Sequence, residues 1–172
     1  NKAIEIDSSF TNAIFNRALM RDKLGDFHGA INDYSKVIEQ EPAWDAFLYR
    51  GISYRKLMKF EDAIKDFTKV IEMEPNDISG FLQRAISKQQ LGNYDSAILD
   101  YSEALKINPK NEDALLNRGI AKTKLNEPSG AIEDYSQIIL INSKNTIALE
   151  LRGINRFGLK DYKSAINDFN RV

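Results

Sequence analysis

Five arginines and five aspartates are the residues in this chain whose types and spacing could do chemistry. Arg17, Arg50, Arg84, Arg118 and Arg152 are matched one for one by Asp33, Asp66, Asp100, Asp134 and Asp168. A guanidinium facing a carboxylate makes paired, charge-assisted hydrogen bonds, so these columns point to ion pairing that sets register. A structural ladder is the favoured reading, because a partly buried arginine demands an acidic partner. The pairs could close within a unit or between neighbours, and the sequence leaves both open.

Catalytic chemistry finds little support. The single histidine, His28, stands beside Gly29 at the start of a helix with no cysteine or convergent acid at a matching spacing, which reads as a surface residue. The acid pairs Glu61-Asp62 and Glu112-Asp113 are adjacent and so point apart on a helix, as solvated charge does. With no cysteine, disulfides, thiolate metal sites and cysteine nucleophiles are excluded. Hydrolase, zinc-peptidase, phosphate-loop and EF-hand patterns are missing as well. The chain is read as not an enzyme, with no catalytic residue, metal site or cofactor.

The elements that carry the Arg and Asp columns follow from a repeat. Ala30, Ala63, Ala97, Ala131 and Ala165 recur at intervals of 33, 34, 34 and 34 residues, each followed by Ile and then by Tyr or Phe. Such a period marks a tandem array of one unit. Within 44–77 the apolar residues step by three, four and five positions, with a break near Met58 and Lys59. Two helices are predicted, from about Trp44 to Leu57 and from Phe60 to Met73, with Pro75 closing the unit. Small residues at Ala18, Gly51, Ala85, Gly119 and Gly153 face the alanine column where the two axes cross. Leu24, Leu57, Leu91, Leu125 and Leu159, with Tyr34, Phe67, Tyr101, Tyr135 and Phe169, are expected to supply the buried apolar area. One pair cannot bury this surface alone, so neighbours must stack.

These residues resemble the tetratricopeptide repeat. The points of likeness are the period, the small residue in the first helix, Leu24-Gly25-Asp26-Phe27 and Leu91-Gly92-Asn93-Tyr94 between helices, the alanine column and the closing prolines. The resemblance covers the chain as a single array, 1–172. The units run 11–43, 44–77, 78–111, 112–145 and a truncated 146–172, and 1–10 reads as the tail of a preceding repeat through Ala3–Asp7. Pro128 replaces an aromatic, and Ser143 replaces a closing proline. Met58, Asn126 and Lys160 stand where Gly25 and Gly92 stand, so those turns must manage without a left-handed glycine. The resemblance implies an all-α fold, a right-handed superhelical solenoid of antiparallel helix pairs whose first helices line a concave groove.

On that frame the groove candidates are Phe15, Leu19, Leu48, Ile52, Leu82, Ile86, Leu116, Ile120 and Ile154, with Glu150 paired to the last. Partners four residues apart share a helix face. Asn16 and Asn117 could hydrogen-bond a peptide backbone, and Lys23, Lys56 and Lys124 lie along one border. Either these apolar side chains form an anchor groove for a peptide or half of them seal adjacent first helices. The carboxylate clamp of the family needs cations where this chain has apolar residues, so it is not reproduced.

The chain carries 24 Lys plus Arg against 25 Asp plus Glu, which gives no global field for a polyanion. First helices are net positive, which would steer acidic peptides. No apolar stretch approaches a membrane span. The expected function is a non-catalytic protein–protein interaction scaffold. Its partner is a protein or peptide, acidic with apolar anchors, and a nucleic-acid partner is disfavoured. The competing classes are a helical-repeat RNA-binding module and a regulatory or targeting array of a larger enzyme. End-to-end self-association through uncapped terminal helices is a further expectation.

Overall fold

The computed structural model describes residues 2–172, with side chains from Phe10 onward. The side chains of Ala3–Asp7, read as the tail of a preceding unit, lie outside the described residues. The described residues form ten helices and no strand: α1 (Lys2–Lys23), α2 (Phe27–Gln40), α3 (Trp44–Lys56), α4 (Phe60–Met73), α5 (Ile78–Gln90), α6 (Tyr94–Ile107), α7 (Glu112–Lys124), α8 (Pro128–Ile141), α9 (Thr146–Gly158) and α10 (Tyr162–Phe169). The expected helices of the second repeat thus agree to within one residue.

By its internal contacts the chain falls into two compact units, Asn1–Ser87 and Lys88–Val172. In the first, α1 packs on α2, α2 on α3 and α3 on α4, and α1 also touches α3. In the second, α6 packs on α7, α7 on α8, α8 on α9 and α9 on α10. The fold is all-α, built of consecutive helix pairs, as the repeat requires.

The crossing of each pair is set by the small columns. Ala30, Ala63, Ala97 and Ala131 have no exposed surface, and Ala165 is 1% exposed. A Cβ on Gly51 would come within 2.6 Å of Phe67 Cε1, one on Gly119 within 2.7 Å of Tyr135 Cε1, and one on Gly153 within 2.6 Å of Phe169 Cε1. The aromatic of the second helix therefore packs directly against the first helix, and a larger residue there would overpack the contact. Ala18 fills the same position in the first repeat, buried with Ala30 and Tyr34.

Two expected core columns thin out at their ends. Leu24 is 85% exposed and Leu159 is 48% exposed, whereas Leu57, Leu91 and Leu125 are half-buried. Leu159 shares a hollow with Asn126 and Pro128, the turn of the repeat before it. No such turn precedes Leu24 among the described residues, so it has nothing to lean on. At the other end Phe169 is 42% exposed, while Tyr34, Phe67, Tyr101 and Tyr135 are fully buried. Tyr34 shows what covers this column, for its ring stacks on Tyr49 of the next first helix at 6.1 Å. No helix follows α10 among the described residues to do the same for Phe169.

The turns between paired helices share one geometry. Gly25 and Gly92 have φ of 80° and 78°, and Met58, Asn126 and Lys160 have φ of 59°, 61° and 64°. The three turns that lack glycine thus keep the left-handed residue regardless. The gain is a helix-ending bond in each: Asp26 N to Arg21 O, Lys59 N to Tyr54 O, Asn93 N to Lys88 O, Glu127 N to Lys122 O and Asp161 N to Arg156 O, all 2.9 Å. That six-to-one closure satisfies a terminal carbonyl and aims the chain into the next helix.

Candidate interaction surface

What the first helices can present is fixed by what they bury. On α3, Ala46, Gly51 and Ser53 are buried, Leu48 and Ile52 are half-buried, and Tyr49 is 36% exposed. The same half-burial holds for Phe15 and Leu19 on α1, Leu82 and Ile86 on α5, and Leu116 and Ile120 on α7. Ile154 on α9 is 48% exposed. Each of the first eight therefore spends part of its surface on its neighbours and leaves part in water. Phe15 shows both roles, meeting the rings of Tyr34 and Tyr49 edge-on at 5.7 and 5.8 Å.

Several of these residues come together. Leu19, Lys23, Ile52 and Lys56 line one hollow of about 270 Å³ with Phe27, Tyr49 and Asp22. Phe15 and Asn16 line another of about 380 Å³ with Asn12 and Asp45. Ile154 borders a third, of about 360 Å³, with Thr123, Asn126 and Asn155. Lys23, Lys56 and Lys124 are exposed, as is Asn16. Asn117 is half-buried and donates from Nδ2 to its own helix at Asp113 O over 2.8 Å. That is the short-range bond a solvent-side asparagine makes in a helix.

The Arg and Asp columns pair within repeats and also bond between them. Arg17 reaches Asp33 with Nε and Nη2 at 2.7 and 2.8 Å, and Arg50 reaches Asp66 with the same two atoms at 2.8 Å each. Arg118 with Asp134 and Arg152 with Asp168 repeat the fork. The remaining nitrogen, Nη1, crosses to the preceding second helix: Arg50 to Ser35 Oγ, Arg84 to Thr68 Oγ1, Arg118 to Ser102 Oγ and Arg152 to Ser136 Oγ, at 2.9 to 3.1 Å. One guanidinium thus fixes both the crossing inside a repeat and the register against its neighbour, and the helices that carry the exposed residues are held rigid by it.

Three features escape a column-by-column reading. The first is a second base on the same carboxylate. Arg21 bonds Asp33 Oδ2 at 2.7 Å, Lys88 bonds Asp100 Oδ2 at 2.8 Å, Lys122 bonds Asp134 Oδ2 at 2.9 Å and Arg156 bonds Asp168 Oδ2 at 2.7 Å. In the second repeat Tyr54 occupies that place, and the Arg50 guanidinium lies 5.9 Å from its ring and 5.6 Å from that of Phe47. The carboxyl groups respond differently: the Arg17 bond holds Asp33 below its ordinary range, whereas burial pushes Asp66 above it despite Arg50.

The second is a polar partner for the buried tyrosines. Tyr34 donates to Asp22 Oδ2 at 2.9 Å, and Tyr101 donates to Gln89 Oε1 at 3.2 Å. Burial foremost pushes both phenols well above their usual range. The third is Tyr49, whose column of Asn16, Gln83, Asn117 and Leu151 is mixed and so carries no consistent apolar signal. His28 is exposed on α2, and its helix is capped by Asp26, which accepts from Gly29 N at 2.9 Å. Among the described residues no group of three or more His, Cys, Asp or Glu is disposed to hold a metal ion, and no helix is long and apolar enough to cross a membrane.

Three family models describe these residues. Two described as "Tetratricopeptide repeat" match 12–43 and 44–77, and one described as "TPR repeat" matches 88–126. No curated protein matches the chain in sequence. Among solved structures, a crystal structure of MamA superposes with a TM-score of 0.86 at 23% identity, covering 90% of this chain and 91% of that one. MamA 41-end from Desulfovibrio magneticus RS-1 gives 0.87 at 16% identity, covering 94% and 92%. A tetratricopeptide repeat protein from Parabacteroides merdae ATCC 43184 gives 0.86 at 22% identity, covering 93% of this chain and 64% of that one. At such identities the likeness is one of fold.

Proposed function

Because the chain belongs to the tetratricopeptide repeat family, we propose that it is a non-catalytic interaction scaffold holding a peptide segment or helix of a partner protein along its first helices. The observation that carries this reading is the hollow shared by Leu19, Tyr49 and Ile52, with the exposed Lys23 and Lys56 at its edge. An apolar socket of about 270 Å³ accepts one large aliphatic or aromatic side chain. Its lysines favour acids beside that anchor, which fits a helix or extended segment with a Leu or Phe flanked by Asp or Glu. Asp22 also lines the socket, and it is already engaged by Tyr34 and Ser53.

The test is selection from a random peptide library displayed on phage, followed by fluorescence anisotropy with the selected peptides. The expected result is enrichment of acidic sequences with apolar anchors, and at least a tenfold loss of affinity in Ile52→Glu with helicity and melting nearly unchanged. Peptides bound equally well by Ile52→Glu would overturn the reading. So would the absence of any selected peptide together with steeply salt-dependent binding of single-stranded RNA.

A further inference from the structure

The second repeat differs from the other four at the position one turn beyond the arginine. Elsewhere a base one turn beyond the arginine bonds the Asp Oδ2 and also donates to a carbonyl eight residues on: Arg21 to Gly29 O at 3.2 Å, Lys88 to Ser96 O at 3.5 Å, Lys122 to Gly130 O at 3.3 Å and Arg156 to Ser164 O at 3.5 Å. Tyr54 offers no such charge. Asp66 Oδ2 and the Asp62 carbonyl are the corresponding acceptors, and among the described residues Arg50 is the one base bonded to Asp66. Beside them opens a hollow of about 350 Å³ between α3 and α4, lined by Phe47, Tyr54, Asp62 and Asp66 together with Arg50, Lys65 and Lys69.

We propose that this hollow receives the side chain of a lysine or arginine from a partner polypeptide, which takes the place that Lys88, Lys122, Arg21 and Arg156 take in their own repeats. The alkyl stem would run along the Phe47 and Tyr54 rings, which already flank one cation, and the charged head would meet Asp66 Oδ2 and the Asp62 carbonyl. Lys65 and Lys69 line the hollow too, but each is matched: Lys65 Nζ lies 3.0 Å from Asp62 and Lys69 Nζ lies 2.7 Å from Glu72. Burial pushes the Asp66 carboxyl upward, which means that Arg50 does not fully offset its desolvation. A second cation supplies what is lacking. The site is independent of the socket described above, since Phe47, Arg50 and Tyr54 lie on a different face of α3 from Leu48 and Ile52.

The probe is the blocked tripeptide acetyl-Gly-Lys-Gly-amide, titrated into isotope-labelled protein while the Phe47 and Tyr54 ring resonances are followed by NMR. The comparison ligands are the same peptide with norleucine or glutamate for lysine, and free butylammonium. The lysine peptide is expected to give saturable shifts with an affinity at least tenfold above all three. Tyr54→Lys supplies the cation from α3 itself, as four sister repeats do, so it is expected to fold and to weaken lysine-peptide binding at least tenfold. Equal binding of the norleucine peptide would reduce the hollow to an apolar cleft. Preference for the glutamate peptide would hand it to Lys65 and Lys69, and equal binding of butylammonium would point to a free amine. Any of these, or unchanged affinity in Tyr54→Lys, overturns the proposal. Shifts confined to Leu48 and Ile52 would bear on the other socket and count against this one.

Discussion

The Tyr34 hydroxyl, in the middle of the first repeat's core, hydrogen-bonds Asp22 across the helix pair at 2.9 Å. Asp22 in turn accepts from Ser53 of the next repeat at 2.7 Å, so one buried phenol ties two repeats together. The same pair of positions holds Tyr101 with Gln89 and Tyr135 near Thr123. In the second repeat it holds Phe67 and Arg55, and there the Arg55 Nε has no hydrogen-bond partner and burial lowers the guanidinium's pKa. A hydroxyl appears where a polar group can use it, and a buried donor is left unmatched where the ring is phenylalanine.

From this follows a paired prediction. Tyr34→Phe removes one buried hydrogen bond and is expected to cost about 1 kcal/mol. Phe67→Tyr places an acceptor in reach of Arg55 and is expected to gain about as much. Either change corresponds to roughly 2–4 °C in the melting temperature of a chain of this size, with opposite signs. Thermal melts of the two variants and of the double variant check it. A loss of stability in Phe67→Tyr would show that the second repeat has no room for the oxygen.

The shared left-handed turn gives a second prediction. A non-glycine residue in that conformation costs about 1–2 kcal/mol, and less for asparagine, whose short polar side chain tolerates it. Glycine relieves the strain but adds freedom to the unfolded chain. Met58→Gly and Lys160→Gly are therefore expected to raise stability by about 0.5–1 kcal/mol each, and Asn126→Gly by only a few tenths. Urea unfolding of the three variants should reproduce that order; a gain at Asn126 larger than at Met58 would contradict it.

How much could be read beforehand depends on the distance over which each feature is encoded. Helix pairs, the alanine column and the small residues of the first helix are written in local spacing, whereas the Phe67 ring as the group that Gly51 meets emerges only from the packed structure. The Arg and Asp columns were visible, but their closure within a repeat was not, because both closures give the same columns. The bond from Arg118 to Ser102 was hidden for a different reason: a serine on a second helix carries no signal until the neighbouring repeat is in place. Leu24 misled, since its column is covered only where another turn precedes it. On the surface, Leu19 and Ile52 follow from their helix face, whereas Tyr49 stands in a mixed column of Asn16, Gln83, Asn117 and Leu151 that gives no consistent signal.

The last prediction separates two aspartates that look identical in the sequence. Asp33 has its pKa lowered, chiefly by the Arg17 hydrogen bond, so it contributes stability above its unfolded value of roughly 3.9 and loses it as the pH falls through the lower folded value. Asp66 has its pKa raised, chiefly by burial, so its contribution is full below the unfolded value and is lost as the pH rises through the higher folded value. Replacing either by asparagine removes that titration. The stability gap between wild type and Asp33→Asn is therefore expected to widen from pH 3 to pH 6, and the gap for Asp66→Asn to narrow or change sign over the same range. At neutral pH, Asp33→Asn breaks a fork and a second ion pair at a buried carboxylate but leaves Arg17 and Arg21 open to water, and a loss of about 1–3 kcal/mol is expected. Urea titrations at half-unit pH steps check both slopes. Parallel slopes for the two variants would mean that the tyrosine at position 54 does not set the second repeat apart.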